Sequence, residues 1–277
     1  MTNKFLIFIL TLVFISCGGS SDSDYDQSLP VPQKSMIAAP APLIFTVKSM
    51  YPHDPSAFTQ GLEYYNGKLY EGTGEYGKSR LRIVDLKTGI AEKDHLLEDN
   101  SIFGEGITIF KEKLYQLTWQ NNKIFVYDLK DITKPTHTLN WSREGWGATN
   151  DGENIIISDG TSKIYFVQPD LEKNQMKIIK IITVVNNEGE VNNINELEYI
   201  DGYIFANIWF SNHIVKINPE SGHVIGVMNL TGLLKQYAPE AEFNPDGVLN
   251  GIAYDSTSRK MFVTGKLWPR IFELEIN

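Results

Sequence analysis

The chain has 277 residues, of which 42% are hydrophobic and 21% charged, an ordinary composition for a soluble globular protein with a sizeable core. Its formal net charge is −9, and its 25 lysines and arginines form no run, which argues against a nucleic-acid partner because phosphate binding requires clustered basic residues. The single cysteine excludes an internal disulfide bond.

The chain opens with MTNKFLIFILTLVFISC, in which an apolar stretch follows one lysine and ends just before Cys17. The stretch is shorter than the roughly 20 residues that span a membrane, so it is typical of a signal peptide. Its ending resembles a bacterial lipobox, with Phe14 in the usual place of leucine. We therefore expect residues 1–17 to be a lipoprotein signal peptide in which Cys17 is lipidated; a plain secretory signal is the alternative.

Residues 18–42 are rich in glycine, serine, aspartate and proline, which predicts a flexible tether. The folded domain is expected over residues 43–277. A lipid anchor on Cys17 would hold that domain outside the bacterial cytoplasm, on the periplasmic face, the outer membrane or the cell surface.

The rest of the chain repeats one pattern five times: a short alternating strand, a turn signal such as Asn66-Gly67 or Asp201-Gly202, and a second strand. The repeats begin at Gln60, Glu105, Trp146, Asn195 and Asn250, which lie 45, 41, 49 and 55 residues apart. A third strand-like run follows each hairpin, and a fourth follows four of them. One four-stranded sheet per repeat predicts an all-β fold, a five-bladed β-propeller.

Closure of the ring is predicted from the two ends of the domain. The last repeat ends after its third strand at Asn277, whereas residues 43–50, LIFTVKSM, form a strand with no repeat of its own. We expect this N-terminal strand to complete the fifth blade, because an unpaired sheet edge would otherwise remain. Two domains or an open solenoid are the alternatives.

Equivalent positions of the repeats should form rings around the central channel. The first ring consists of the five residues that open the repeats. The second ring lies 14 residues further on, or 16 in the last repeat, and consists of Gly74, Trp119, Gly160, Trp209 and Lys266. This pattern predicts a pocket, because the indoles would form its walls, the glycines would leave space and a few polar groups would converge on it.

Within this pocket we expect Glu105 to be the only carboxylate at the channel mouth. A lone carboxylate among amides and indoles should be partly desolvated, with a raised pKa suited to proton transfer. A structural role at the axis is the alternative for Gln60, Asn195 and Asn250, since strand ends need hydrogen-bond partners.

Short motifs in these repeats carry a resemblance to a known family. They include FTQGLEY, LYEGTGEYG, FGEGIT, LYQLTW, EGWG, NELEYIDG, ANIW, VLNGIAYD and VTGKLWP, from about Leu43 to the C-terminus. They resemble the glutamine cyclotransferase family, the plant and bacterial type of glutaminyl-peptide cyclotransferase. The resemblance implies a five-bladed propeller that converts the N-terminal glutamine of peptides to pyroglutamate and releases ammonia.

The resemblance also implies roles for residues of the two rings. Glu105 would be the catalytic acid and base, and Phe58 would stand at the mouth. Gln60, Asn195, Lys266 or an indole N–H would donate to the oxyanion; Lys266 would do this or only set the charge of Glu105. Substrate-binding residues would be Phe58, Gln60, Trp119, Trp146, Trp209 and Asn250.

No metal or other cofactor is expected to be required. The five histidines are scattered without a two-histidine spacing and are each expected to be a surface or loop residue rather than a ligand. The expected partners are peptides or proteins with N-terminal glutamine, and the protein is expected to be a monomer. Two alternatives remain: a non-catalytic propeller that binds an extracytoplasmic partner, and a metal-dependent propeller enzyme such as a lactonase.

Overall fold

The computed structural model describes residues 36–239 and 244–277. The predicted signal peptide with Cys17, and the tether as far as residue 35, lie outside the described residues. Over the described ranges the secondary structure is strands plus one short helix, α1 (Leu233–Tyr237). The prediction of an all-β fold is confirmed.

The strands of the first half are β1 (Ala41–Pro42), β2 (Phe45–Pro52), β3 (Thr59–Tyr65), β4 (Lys68–Thr73), β5 (Arg80–Val84), β6 (Ala91–Leu96), β7 (Gly104–Phe110), β8 (Lys113–Thr118), β9 (Lys123–Asp128), β10 (His137–Asn140), β11 (Ala148–Asn150) and β12 (Ile155–Ser158). Those of the second half are β13 (Lys163–Asp170), β14 (Gln175–Thr183), β15 (Val185–Asn186), β16 (Gly189–Glu190), β17 (Ile194–Ile200), β18 (Tyr203–Ile208), β19 (His213–Ile217), β20 (Val224–Asn229), β21 (Leu249–Asp255), β22 (Lys260–Gly265) and β23 (Arg270–Ile276).

Turn chemistry explains why the hairpins form where they do. Asn66 and Gly67 between β3 and β4 have φ of 49° and 79°, and Asp201 and Gly202 between β17 and β18 have φ of 48° and 87°. Two consecutive positive φ values match the twist of a two-residue hairpin, which asparagine, aspartate and glycine adopt at low cost. The turn at Asp151 is longer, because its N–H donates to the carbonyl of Asn154.

In the described part of the chain, the sheets are built from five antiparallel units of four strands each. Four of these units are continuous in sequence: β3–β6, β7–β10, β11–β14 and β17–β20. The second and third units merge into one eight-stranded sheet through a single parallel pairing of Asn140 in β10 with Gln175 in β14.

The fifth unit joins the two ends of the domain, since β2 pairs antiparallel with β23 in a sheet of order β2-β23-β22-β21. The strand predicted at residues 43–50 therefore takes the expected partner. β1 adds a short parallel pairing to β20, which places Ala41 and Pro42, assigned to the tether from sequence, within a sheet.

The first strands of the five units lie side by side in a closed cycle: β3 neighbours β7, and then follow β11, β17 and β21, which returns to β3. Apolar residues fill the spaces between successive units; Ile83 of the first unit packs with Ile107 and Leu114 of the second. None of the helical segments in residues 36–239 and 244–277 is long and apolar enough to cross a membrane.

Candidate active site

Three of the side chains predicted to form the first ring, those of Gln60, Glu105 and Asn250, are joined by hydrogen bonds. Gln60, Glu105, Asn195 and Asn250 lie in β3, β7, β17 and β21, and Trp146 lies two residues before β11. The four polar side chains belong to residues that are between 0% and 5% exposed, whereas Trp146 is partly exposed. The ring of polar groups is therefore desolvated, with an indole at its edge.

β-Bulges and close backbone contacts produce this arrangement. The register of the first hairpins shifts between Thr59 and Gly61, Gly104 and Ile107, Ile194 and Leu197, and Leu249 and Ile252. Bulges of this kind re-aim a side chain out of the regular alternation.

Glycine follows the ring residue in four of the five repeats. A Cβ on Gly106 would lie 2.6 Å from the carbonyl oxygen of Trp146, and one on Gly147 would lie 2.0 Å from that of Asn195. The Gly106 N–H donates to the Trp146 carbonyl at 2.7 Å. Glycine is needed because neighbouring first strands touch backbone to backbone here. The fourth repeat, which opens with Asn195, has Glu196 instead.

Glu105 is held by an oriented chain of amides. Gln60 Nε2 donates to Glu105 Oε1 at 3.1 Å, and Asn250 Nδ2 donates to Gln60 Oε1 at 3.4 Å and to the Thr59 carbonyl at 3.0 Å. These bonds fix the orientation of the Gln60 amide: its nitrogen faces the Glu105 carboxylate and its oxygen faces Asn250. Burial raises the pKa of Glu105 well above its ordinary value, Lys266 opposes the rise and Glu144 adds to it.

Unpaired polar atoms lie beside this chain of amides. Among the described residues, Asn195 Oδ1, Asn250 Oδ1 and Asn207 Nδ2 are buried and have no hydrogen-bond partner. A buried polar atom without a partner loses free energy relative to its hydrated state, so such atoms mark places where a ligand can bind.

Lys266 contributes the cation of the site. Its residue is 3% exposed, and its ammonium nitrogen lies 4.6 Å from the centre of the Phe58 ring, a cation–π geometry. Burial lowers the pKa of Lys266 to about 8, against the opposing effects of Glu105 and Asp246. Lys266 is thus charged below about pH 8 and poised to lose that charge in mildly alkaline solution.

The tryptophans are organised by a second carboxylate that the sequence interpretation missed. Trp119 Nε1 and Trp146 Nε1 both donate to Glu144 Oε2 at 2.9 Å, and Gln120 Nε2 donates to Glu144 Oε1 at 2.9 Å. Burial raises the pKa of Glu144, but the hydrogen bonds from Trp146, Gln120 and Trp119 outweigh it and the net pKa is lowered.

The prediction that Glu105 is the only carboxylate at this end was therefore wrong. Glu144 precedes the ring position of its repeat by two residues, in EGWG, and a search at equivalent repeat positions does not reach it. The EGWG motif, which also carries the family resemblance, was the signal that could have pointed to Glu144.

The glycines of the second ring have a different role from the predicted one. A Cβ on Gly74 would lie 2.3 Å from the Phe103 ring, and one on Gly160 would lie 2.5 Å from the Trp146 ring. These glycines make room for aromatic rings of the protein itself rather than for a ligand. Trp209 stacks edge-on against Trp146 with ring centres 5.3 Å apart and is 37% exposed.

One histidine, His53, is a loop residue as expected, but it is buried rather than at the surface. His53 lies in the loop before β3 but is 6% exposed; its Nε2 lies 2.9 Å from Glu71 Oε1 and its Nδ1 2.6 Å from the Trp268 carbonyl. Burial lowers the pKa of His53, but the Glu71 carboxylate and the Trp268 carbonyl outweigh it and raise the net pKa. Thr59, next to Gln60, also donates to Glu71 at 2.8 Å, so this network supports the strand that carries the ring.

Within residues 36–239 and 244–277, no group of three or more histidine, cysteine, aspartate or glutamate side chains is arranged to hold a metal ion. The polar groups of this site are amides, indoles, two carboxylates and an ammonium. This set of hydrogen-bond donors and acceptors suits a small polar organic group.

Fold and site together define an all-β protein that carries a set of desolvated polar side chains on its first strands. The family model described as glutamine cyclotransferase matches residues 24–276. A glutaminyl-peptide cyclotransferase of Arabidopsis thaliana is 40% identical over 273 residues, which cover 98% of this chain and 79% of that protein.

The crystal structure of the Myxococcus xanthus glutaminyl cyclase superposes with a TM-score of 0.78 at 34% identity, covering 86% of this chain and 98% of that one. The chain belongs to the glutamine cyclotransferase family, and the resemblance noted in its motifs is confirmed.

Proposed function

We propose that this protein converts the N-terminal glutamine of peptides and proteins to pyroglutamate with release of ammonia, and that Glu105 moves the proton. The observation that carries the assignment of Glu105 is its desolvated carboxylate, oriented by Gln60 and raised in pKa. Membership of the family supports the reaction as a whole.

The reaction joins two parts of the same residue. The neutral α-amine attacks the γ-carboxamide carbon, a C–N bond forms, and the bond to the amide nitrogen then breaks. The amine must lose a proton and the leaving nitrogen must gain one, because an amide anion is not a viable leaving group. Glu105 can take the first proton and return it as ammonia leaves, a shuttle worth about 10²- to 10⁴-fold in rate.

The oxyanion needs donors that are not already engaged. One of the two N–H groups of Gln60 Nε2 is engaged with Glu105, and the indole N–H groups of Trp119 and Trp146 are engaged with Glu144. We therefore assign oxyanion stabilisation to Lys266 and Asn195. A single well-placed donor contributes about 2.7 to 4 kcal/mol in comparable sites.

The remaining ring residues bind and orient the substrate. Four aromatic side chains would hold the glutamine side chain folded toward its own amine and exclude water: those of Phe58, Trp119, Trp146 and Trp209. Asn250 would act through Gln60, whose amide it orients. No cofactor is needed for these steps.

We also infer that the five four-stranded units are the blades of a closed five-bladed β-propeller. Support comes from the cycle of first strands and from the pairing of β2 with β23. A propeller places the inner strand ends around one channel mouth, where this polar ring lies.

The leader is a separate proposal that rests on the sequence alone: export, cleavage before Cys17 and a lipid on that cysteine, followed by a tether that ends before β1 at Ala41. Growth with labelled fatty acid should label the wild-type protein and not a Cys17→Ser variant. A monomer is likewise expected and can be checked by sedimentation.

Ammonia release from a dipeptide with N-terminal glutamine tests the reaction. We expect turnover by the wild-type protein, turnover after exhaustive chelation, and a loss of at least about 100-fold in kcat for Glu105→Gln. Glu153→Gln, which changes an exposed carboxylate on another hairpin, is the matched control and should keep wild-type kcat. A folded protein that releases no ammonia would favour the binding-module alternative, and loss of turnover on chelation would reopen a metal-dependent mechanism.

A further inference from the structure

Phe210 lies in a strained and exposed position that neither the core nor the turn explains. It occupies the third position of the turn from Ile208 to Ser211, closed by the Ser211 N–H donating to the Ile208 carbonyl at 2.9 Å. Its φ is 58°, where glycine or asparagine is preferred, and it is 63% exposed. A bulky residue in this region costs about 1 to 3 kcal/mol, and such strain concentrates at functional sites.

The ring of Phe210 continues the wall of the pocket. Its centre lies 4.6 Å from that of Trp209, which in turn lies 5.3 Å from that of Trp146. Trp146 shares the Glu144 carboxylate with Trp119. An aromatic surface therefore leads from the polar ring outward and ends in Phe210.

A peptide held at Glu105 must present its second residue to this rim. The first residue brings its amine and its carboxamide to the polar ring, so its carbonyl and the following residue point out of the pocket. Trp209 and Phe210 offer aromatic faces there, which favour apolar and aromatic side chains over small polar ones.

We propose that Phe210 forms a subsite for the second residue of the peptide and sets a preference for an aromatic or large apolar side chain there. This proposal rests on the proposed function, since it places the first glutamine at Glu105. Binding of the second side chain would compensate for the strained turn.

The test compares two peptides that differ only at the second residue, Gln-Phe-Ala and Gln-Ser-Ala. We expect wild-type kcat/KM to be about 3- to 10-fold higher for the phenylalanine peptide, as one aromatic contact would give. In Phe210→Asn that ratio should fall to within about twofold of unity, mainly through KM. Asparagine tolerates the turn's φ, so the variant should fold at least as well as the wild type.

Ile90→Asn is the matched control, because Ile90 is 68% exposed in the β5–β6 turn, at the opposite end of β5 from the β4–β5 turn on the pocket side. It should keep the wild-type ratio. Equal kcat/KM for the two peptides in the wild type, or an equal loss for both in Phe210→Asn, would overturn the subsite.

Failure of the proposed function has a different signature, which is no ammonia from either peptide. The subsite is then still tested by peptide binding to Glu105→Gln, followed through tryptophan fluorescence. A lower Kd for the phenylalanine peptide that disappears in the double variant with Phe210→Asn supports the subsite, and equal Kd values for the two peptides overturn it.

Discussion

Glu144 couples the aromatic wall to the proton chemistry through one carboxylate. By accepting from Trp119 and Trp146 it sets the angle between two indoles, and its negative charge raises the pKa of Glu105. Hydrogen bonds to a charged acceptor are worth about 1.5 to 3 kcal/mol. Glu144 thus acts on the substrate through its neighbours, as a positioning residue.

Glu144→Gln should lower kcat/KM by about 10-fold or more, because the glutamine amide offers one acceptor oxygen where two indoles and Gln120 now donate. It should also move the acid limb of kcat to lower pH. The sign follows from the charge: without the negative Glu144, the Glu105 carboxylate forms at lower pH, and the base is available there. The measurement is kcat against pH for the wild type and the variant.

Glu153→Gln again serves as the control and should leave the limb in place. An acid limb that does not move in Glu144→Gln would mean that the Glu144 charge has no influence on the catalytic proton transfer, whatever happens to KM.

At the scale of single residues, the sequence predicted the site residues that occupy equivalent positions of the repeats and missed those that do not. Gln60, Glu105, Asn195 and Asn250 were found because they occupy one repeat position, and the structure brings them together. Glu144 and Phe210 lie off the equivalent positions, and their side chains are placed by one turn or one motif, so periodicity carries no information about them.

Among the elements, the first strands depend on glycine where they meet. Four ring residues are followed directly by glycine. A Cβ on Gly106 or Gly147 would overlap a neighbouring carbonyl oxygen, and one on Gly61 would lie 2.4 Å from the backbone nitrogen of Ile107. The same contact holds adjacent ring residues at a fixed separation. Stability and site geometry are therefore joined at these positions.

Gly147→Ala should destabilise the protein and reduce activity together. Its Cβ would lie 2.0 Å from the Asn195 carbonyl oxygen and 2.7 Å from Glu196 Cα, both on a backbone that cannot rotate away. Overpacking of this kind costs about 1 to 3 kcal/mol or more, which lowers Tm by about 2 to 12 °C for a domain of this size. Calorimetry and ammonia release measure the two effects.

Gly67→Asn is the comparison, because Gly67 has φ of 79° and open space around its Cα, and asparagine tolerates that φ. It should change Tm little. Wild-type Tm and kcat/KM in Gly147→Ala would show that the close contact at Gly147 is not needed for stability or activity.

Strand existence was predictable because the alternation and the Asn-Gly and Asp-Gly turns are local signals. The bulges were not, since a register shift depends on the partner strand. Gly104 and Gly106 flank Glu105 at such a bulge, and a Cβ on either would lie 2.9 Å or less from a carbonyl oxygen of a neighbouring segment.

On the scale of the whole molecule, Glu63, Glu196 and Glu198 are further buried or partly buried carboxyl groups in the first strands, besides Glu105. Glu196 accepts from the N–H groups of Leu62 and Ile252 at 3.2 and 2.8 Å, thereby linking three units. Burial raises the pKa of Glu63 to about 7 and raises those of Glu196 and Glu198 well above the ordinary value. These carboxyl groups were not anticipated, although Glu63 and Glu198 share one repeat position, three residues after Gln60 and Asn195.

The free energy of unfolding should therefore fall as pH rises from about 4.5 to about 7. In this window the native protein keeps protons that the unfolded chain releases above about pH 4.3, so the native state binds more protons and loses stability with rising pH. Glu63→Gln should flatten the curve, because its amide does not titrate. Urea unfolding at pH 5, 6, 7 and 8 measures both curves.

An exposed carboxylate provides the contrast, and Glu188→Gln should give a curve parallel to that of the wild type. A Glu63→Gln curve that also runs parallel to the wild type would assign the pH dependence to other groups.

The pairing of β2 with β23 has a consequence for how the protein is made. Lys48 and Glu275, which form an ion pair across this sheet, are 227 residues apart in the chain. On a ribosome, β2 is synthesised about 220 residues before β23. The nascent chain therefore carries β2 as a strand without its partner until β23 has also emerged, and a pairing so distant in sequence forms late in folding.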